Sequence, residues 1–227
     1  MATKPRAKAS AGAGKSRYGR PVRPKAGSGV PVMAVVAGAI VVVLTIAMIV
    51  LIVYLQRPQP GPATVSGIPC DQLEHTQVHY HTGLQILYYG TPTEMRDNTG
   101  IQLDSAGNVK CYYWLHIHAA QKNIIHIESP ASQTFTLGQF FAVANSWSNA
   151  NGYGPIKLDK SHVATFTLQP GDTIVTYVDL GDGKGPTVFN GDPSTIPLKS
   201  HEVITVEIVK AGDKPTTPPA FSFPSGL

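Results

Sequence analysis

From Val32 to Leu55 the chain runs 24 residues without a charge, whereas from Val78 onward apolar and polar residues alternate. The first pattern predicts a transmembrane helix within 30–56, because 24 helical residues reach about 36 Å across a hydrocarbon core of roughly 30 Å. Tyr54 and Arg57 are placed to anchor its end at the interface. A cleaved signal peptide would carry an apolar region of about 7–15 residues and a small-x-small site, so the segment reads as an uncleaved signal-anchor. After it, 57–69 is a Pro/Gly-rich linker that cannot continue the helix.

The second pattern predicts strands. In VHYHTGLQILYYG the even positions Val78, Tyr80, Leu84, Ile86 and Tyr88 are apolar, and the odd positions His79, His81 and Gln85 are polar, the period of a half-buried strand. CYYWLHIH (111–118) and NIIHIES (123–129) read as one hairpin. TLGQFFAVAN has no such alternation and predicts a short helix capped by Thr134 or Thr136. The following SWSNANGYGPIKLDK reads as loop. Two β-branched runs split by Gln169-Pro170-Gly171-Asp172, a turn at Asn190-Gly191 and a closing strand HEVITVEIV complete a β-rich α+β domain, sandwich- or barrel-like, over 70–211. A Pro- and Thr-rich tail (212–227) is expected to be unstructured.

The polar positions of these strands carry the chemistry. All eight histidines lie after residue 57, and five fall between residues 79 and 126. His79 and His81 form one H-x-H, His116 and His118 a second, and His126 is paired with Glu128. A period of two puts each pair on one face, where imidazoles and a carboxylate can hold copper or zinc. His75, His162 and His201 are isolated and read as ordinary surface or core residues. Directly opposed residues of an antiparallel pair share a face, so an odd hairpin connection keeps His126 with His116 and His118. A left-handed Asn123 at its end suits such a loop. The expected register sets His118 against His126 and His116 against Glu128.

Charge and cysteine usage refine the picture. Half of the 18 Lys and Arg lie in residues 1–57, which contain no acid; the other nine face all 14 acidic residues in the remainder. The excess of +4 is therefore a disordered basic tail (1–29) before a membrane span, which fits an N-in topology better than nucleic-acid binding. Everything after Arg57 is then extracytoplasmic. There an even pair of cysteines predicts a Cys70–Cys111 disulfide, and Cys111 has the wrong parity to join His116 and His118 in a copper–thiolate site. G-x-S-x-G, H-E-x-x-H and P-loop motifs are absent.

HYHTGLQILYYG, YWLHIHA…IIHIESP, FTLGQFF and VFNGDPSTIPLKSHEVITV, in that order, resemble a family of secreted or membrane-anchored bacterial proteins without an assigned function. The resemblance covers most of 75–209 and implies that His79, His81, His116, His118 and His126 belong together, with His201 a further candidate. It implies no reaction. The chain departs from the family at Ala119, where an Asp usually follows the second His, and in a connecting loop one residue longer.

These readings combine into a single-pass membrane protein whose β domain binds copper or zinc, in metal handling or sensing. The alternatives are a cupin-like metal-dependent oxidoreductase and a metal-free module that presents its β surface to an envelope partner.

Overall fold

The long apolar segment forms one helix, α1 (Val32–Leu55), none of whose side chains is buried by the protein. It is long and apolar enough to cross a membrane. Thr45 returns its hydroxyl to the Val41 carbonyl 2.8 Å away, so the helix carries no unpaired hydroxyl there. The computed structural model describes residues 31–55 and 64–227, with Gly19, Gly27 and Gly29. The basic tail and the start of the linker fall almost wholly outside the described residues.

The second unit of the chain is mainly β. In order it contains β1 (Cys70–Asp71), β2 (Val78–Tyr88), β3 (Thr91–Thr93), β4 (Ile101–Leu103), β5 (Val109–Tyr113), β6 (Leu115–His116) and β7 (Ile124–Ser129). The helix α2 (Leu137–Ala150) follows, then β8 (Lys157–Asp159), β9 (His162–Ala164), β10 (Phe166–Thr167), β11 (Thr173–Asp179), β12 (Thr187–Val188) and β13 (Val203–Val209). A seven-stranded sheet runs β12-β11-β13-β2-β7-β6, with β3 also on β2; two three-stranded sheets, β1-β5-β4 and β10-β9-β8, flank it, and none closes. The expected closing strand β13 lies inside the sheet, antiparallel to β11 and parallel to β2.

Alternation decides which face of this sheet becomes the core. Leu84 and Ile86 of β2, Ile125 and Ile127 of β7, Leu115 of β6, and Ile204, Val206 and Ile208 of β13 share one face, and each is at most 2% exposed. α2 contributes to the same core through Leu137, Phe140, Phe141 and Ala144, the i, i+3, i+4, i+7 stripe of an amphipathic helix. Thr136 caps it: its hydroxyl accepts from the Gln139 N–H and the Gln139 side chain accepts from Thr136 N–H. The helix runs through Ser146–Ala150, which read as loop in the sequence, because Trp147 extends the stripe and its indole N–H donates to the Ile101 carbonyl at 2.7 Å.

The segment CYYWLHIH departs from its expected single strand. It breaks at Trp114, leaving β5 in one small sheet and β6 at the edge of the large one. Gly100, at φ +84°, lets the chain approach here; a β-carbon on it would lie 2.7 Å from the Leu115 carbonyl oxygen and 3.0 Å from His116 Cβ. After His116 the Ile117 N–H bonds to the Thr99 carbonyl rather than to β7, so the connection is the seven residues 117–123. Asn123 ends it at φ +65°, its side chain accepting from Met95 N–H.

The rest of the second face is covered by the end of the chain. Residues 211–227 form no helix or strand, yet Gln85 donates to the Pro219 carbonyl, the buried Glu207 carboxylate accepts from Thr216 N–H, and Phe221 lies on Gly83. The histidine end of that face is left clear of these contacts.

Candidate metal centre

Three adjacent strands deliver the site. His126 of β7 is directly opposite His81 of β2 on one side and His116 of β6 on the other, while Glu128 is opposite His79. All of them therefore project from the face away from α2. His126 shares a face with both H-x-H pairs, as an odd connection requires. The register is two residues from the expected one, with His116 rather than His118 opposite His126. The cause is the early departure of the chain at Ile117, which leaves His118 beyond the end of β6.

Each H-x-H closes like a pincer. The Nε2 atoms of His79 and His81 are 3.1 Å apart, and those of His116 and His118 are also 3.1 Å apart. Glu128 lies between the pairs, its Oε1 3.3 Å from His79 Nε2, 3.9 Å from His116 Nε2 and 3.5 Å from His126 Nδ1. His116, His118, His126 and Glu128 form one set with ligand atoms within 4.8 Å of one another, and His79, His81 and His126 form another. His81, His116, His126 and Glu128 are the buried floor, and the exposed His79 and half-buried His118 form the mouth.

Tautomer and protonation prepare these rings to be ligands. The carbonyl of Tyr113 can only accept, so the 2.8 Å contact puts a proton on His116 Nδ1 and points Nε2 into the site as the available ligand atom. Burial, followed by the neighbouring His126 and His79, pushes His81 down to about 4. Burial likewise lowers His118 and His126. These three imidazoles are neutral at pH 7, the form that binds metal.

The interior of the cluster is not self-satisfied. Both ring nitrogens of His126 and Oε2 of Glu128 are buried without a hydrogen-bond partner. The 3.5 Å separation of His126 Nδ1 from Glu128 is too long to count as one. A buried polar atom left unpaired costs about 1–3 kcal/mol, and three of them meet here. A cation placed there would take the lone pair of one His126 nitrogen and a Glu128 oxygen as ligands.

One residue of the site carries no sequence signal. Glu74, in the loop after β1, places Oε1 3.1 Å from His118 Nε2 and 3.6 Å from His116 Nε2. Nothing in DQLEH suggests a ligand, but Cys70 and Cys111 are joined by a disulfide, Cα atoms 5.4 Å apart. That link ties the Glu74 loop to the segment that leads into His116. The same loop is fixed by Asp71, whose Oδ2 meets His75 Nε2 and Trp114 Nε1, each at 2.7 Å.

The three isolated histidines are engaged elsewhere. His75 is on Asp71, His162 on Asp159 and Ser161, and His201 on Ser200 and the Leu227 carbonyl, with its ring against Phe223. No protein-family model, curated protein or solved structure matches the chain, so its site is read from its own residues.

Proposed function

We propose that this protein is a single-pass, membrane-anchored, extracytoplasmic binding protein for copper or zinc, acting in metal handling or sensing at the cell surface. The observation that carries the reading is the set of orphaned buried atoms, His126 Nδ1 and Nε2 and Glu128 Oε2, inside a ring of four further imidazoles. With both cysteines in a disulfide, the donors are nitrogen and oxygen only, a set that suits Zn²⁺ and Cu²⁺ rather than a thiolate-seeking ion. The disulfide also fits an oxidising compartment, as does an N-in anchor preceded by eight Lys and Arg and no acid. The resemblance to secreted or membrane-anchored bacterial proteins points the same way.

The test is elemental analysis of the full-length protein in detergent, purified without a His-tag and equilibrated with Cu²⁺ or Zn²⁺. Metal should be retained through buffer exchange and lost from His126→Ala; a parent that retains none sinks the reading and favours the metal-free module. For topology, Ala63→Cys should be labelled by an impermeant maleimide on intact cells, and labelling only after permeabilisation would reverse the assigned orientation.

An oxidoreductase is the second reading. It is favoured by the solvent-facing mouth formed by His79, His118 and Glu74, since a catalytic centre keeps a coordination position within reach of solvent. Oxygen consumption by the metal-loaded protein with a reductant distinguishes it from a carrier.

A further inference from the structure

We propose that the centre holds two transition ions, one in each histidine pincer, with Glu128 and His126 between them and Glu74 as a ligand of the second. This rests on the metal-binding reading and goes beyond it in number, placement and ligand set.

Donor count gives the first argument. Five imidazoles and two carboxylates converge, whereas a first-row ion in such a site takes about four ligands. The donors also do not form one set. They fall into two overlapping groups, one on each side of β7, that share only His126.

Distances give the second. Metal–ligand bonds of about 2.1 Å place neighbouring donors roughly 3.0–3.4 Å apart in octahedral or tetrahedral geometry. The triangle of His116 Nε2, His118 Nε2 and Glu74 Oε1 has sides of 3.1, 3.1 and 3.6 Å. On the other side, His79 Nε2 is 3.1 Å from His81 Nε2 and 3.3 Å from Glu128 Oε1. Four of these five edges fall in the range of a coordination polyhedron, two in each pincer.

The third argument is the chemistry of the two residues in the middle. Glu128 reaches toward both pincers with Oε1 and has Oε2 unpaired, as a bridging carboxylate requires. His126, opposite both His81 and His116, has its ring nitrogens free of hydrogen bonds and can give one lone pair to an ion on either side.

The experiment is Cu²⁺ titration of the untagged full-length protein in detergent, read by elemental analysis and electron paramagnetic resonance. Two coppers per chain are expected. Ions about 3.5–4 Å apart couple magnetically, so the signal should integrate to fewer than two spins and show a half-field transition. His79→Ala with His81→Ala, and separately His118→Ala, should each leave one copper and an uncoupled one-spin signal, with unchanged circular dichroism. Glu74→Gln, at a part-exposed side chain, should weaken only one of the two binding steps and serves if the histidine variants misfold. One copper in the parent, abolished by either histidine variant, overturns the two-ion proposal and leaves the metal reading standing. Two coppers with full uncoupled spin place the second ion elsewhere and overturn it as well. An unchanged titration of Glu74→Gln removes Glu74 from the site. No bound copper defeats both readings.

Discussion

The two faces of the large sheet are built by the same strands from one alternating sequence, and they differ in whether they are complete. Under α2, Leu84, Ile86, Ile125, Ile127 and Leu115 are as deeply buried as any residues in the protein, and the face is satisfied by contact alone. Opposite it, His81, His116, His126 and Glu128 are nearly as buried, yet three of their polar atoms have no partner. Burial of apolar groups stabilises by itself, at about 25 cal/mol per Å². Burial of polar groups stabilises only when every donor and acceptor is matched. The apolar face therefore acts as a scaffold that offsets the cost of holding the histidines out of water.

That division can be broken most forcefully from the apolar side. Phe140→Ala empties a fully buried ring position in α2 and should cost about 3–5 kcal/mol, read from the denaturant midpoint. The folded fraction should still bind metal, because no ligand is carried by α2. Loss of metal at unchanged stability would mean that the two faces are not separable.

Next in size is the disulfide. The Cys70–Cys111 bond closes a separation of 41 residues, and replacing both cysteines by Ser should cost about 4 kcal/mol in the chain-entropy model. It should also loosen the Glu74 side of the site more than the His79/His81 side, seen as weakening of one metal-binding step. Thiol titration of the unfolded, unreduced protein should find none; two titratable thiols would refute the bond.

The contrast between faces was legible in the sequence because period-two alternation assigns residues to sides whatever the exact register. Parity placed His79, His81, His116 and His126 together, and it kept Cys111 away from them. The sequence also carried the Cys70–Cys111 crosslink; what it could not display were two tertiary hydrogen bonds and the reach of one loop side chain. The Ile117 N–H chooses the Thr99 carbonyl, which ends β6 early and slips the register by two residues. Glu74 sits in a loop without periodicity, held near His118 by the Cys70–Cys111 bond and by the contacts of Asp71 with His75 and Trp114. Trp147 lengthens α2 through a bond to Ile101, 46 residues away.

A smaller effect, opposite in sign, is expected on the histidine face. His126→Leu removes the two unpaired ring nitrogens and fills most of the same space. In metal-free protein it should be neutral or stabilising by about 1–3 kcal/mol, while metal binding is lost or falls sharply. A metal-free variant markedly less stable than its parent would show that the ring is satisfied after all, and the faces would then be alike.

The smallest effect is a pH dependence in which two buried groups oppose each other. Burial pushes His81 from 6.5 down to about 4, so between those values the unfolded chain takes up a proton that the folded one refuses, and stability falls as the solution is acidified. His118 and His126, lowered by burial, act in the same direction. Glu202, at the start of β13, is raised by burial from 4.5 to about 7, with the Lys199 N–H bonded to its Oε1 working against the rise. Between those values the folded state holds a proton that the unfolded chain has lost, so this contribution is present at low pH and disappears as pH rises. In metal-free protein Glu202 should offset part of the histidine slope between pH 5 and 7. Glu202→Gln keeps an acceptor for Lys199 N–H and removes the titration, so its denaturant midpoint should drop more steeply from pH 7 to pH 5 than that of the parent. A variant slope equal to or shallower than the parent's would mean that Glu202 does not hold a proton in the folded state; a variant that loses no stability from pH 7 to pH 5 would mean that the histidine face is already protonated when folded.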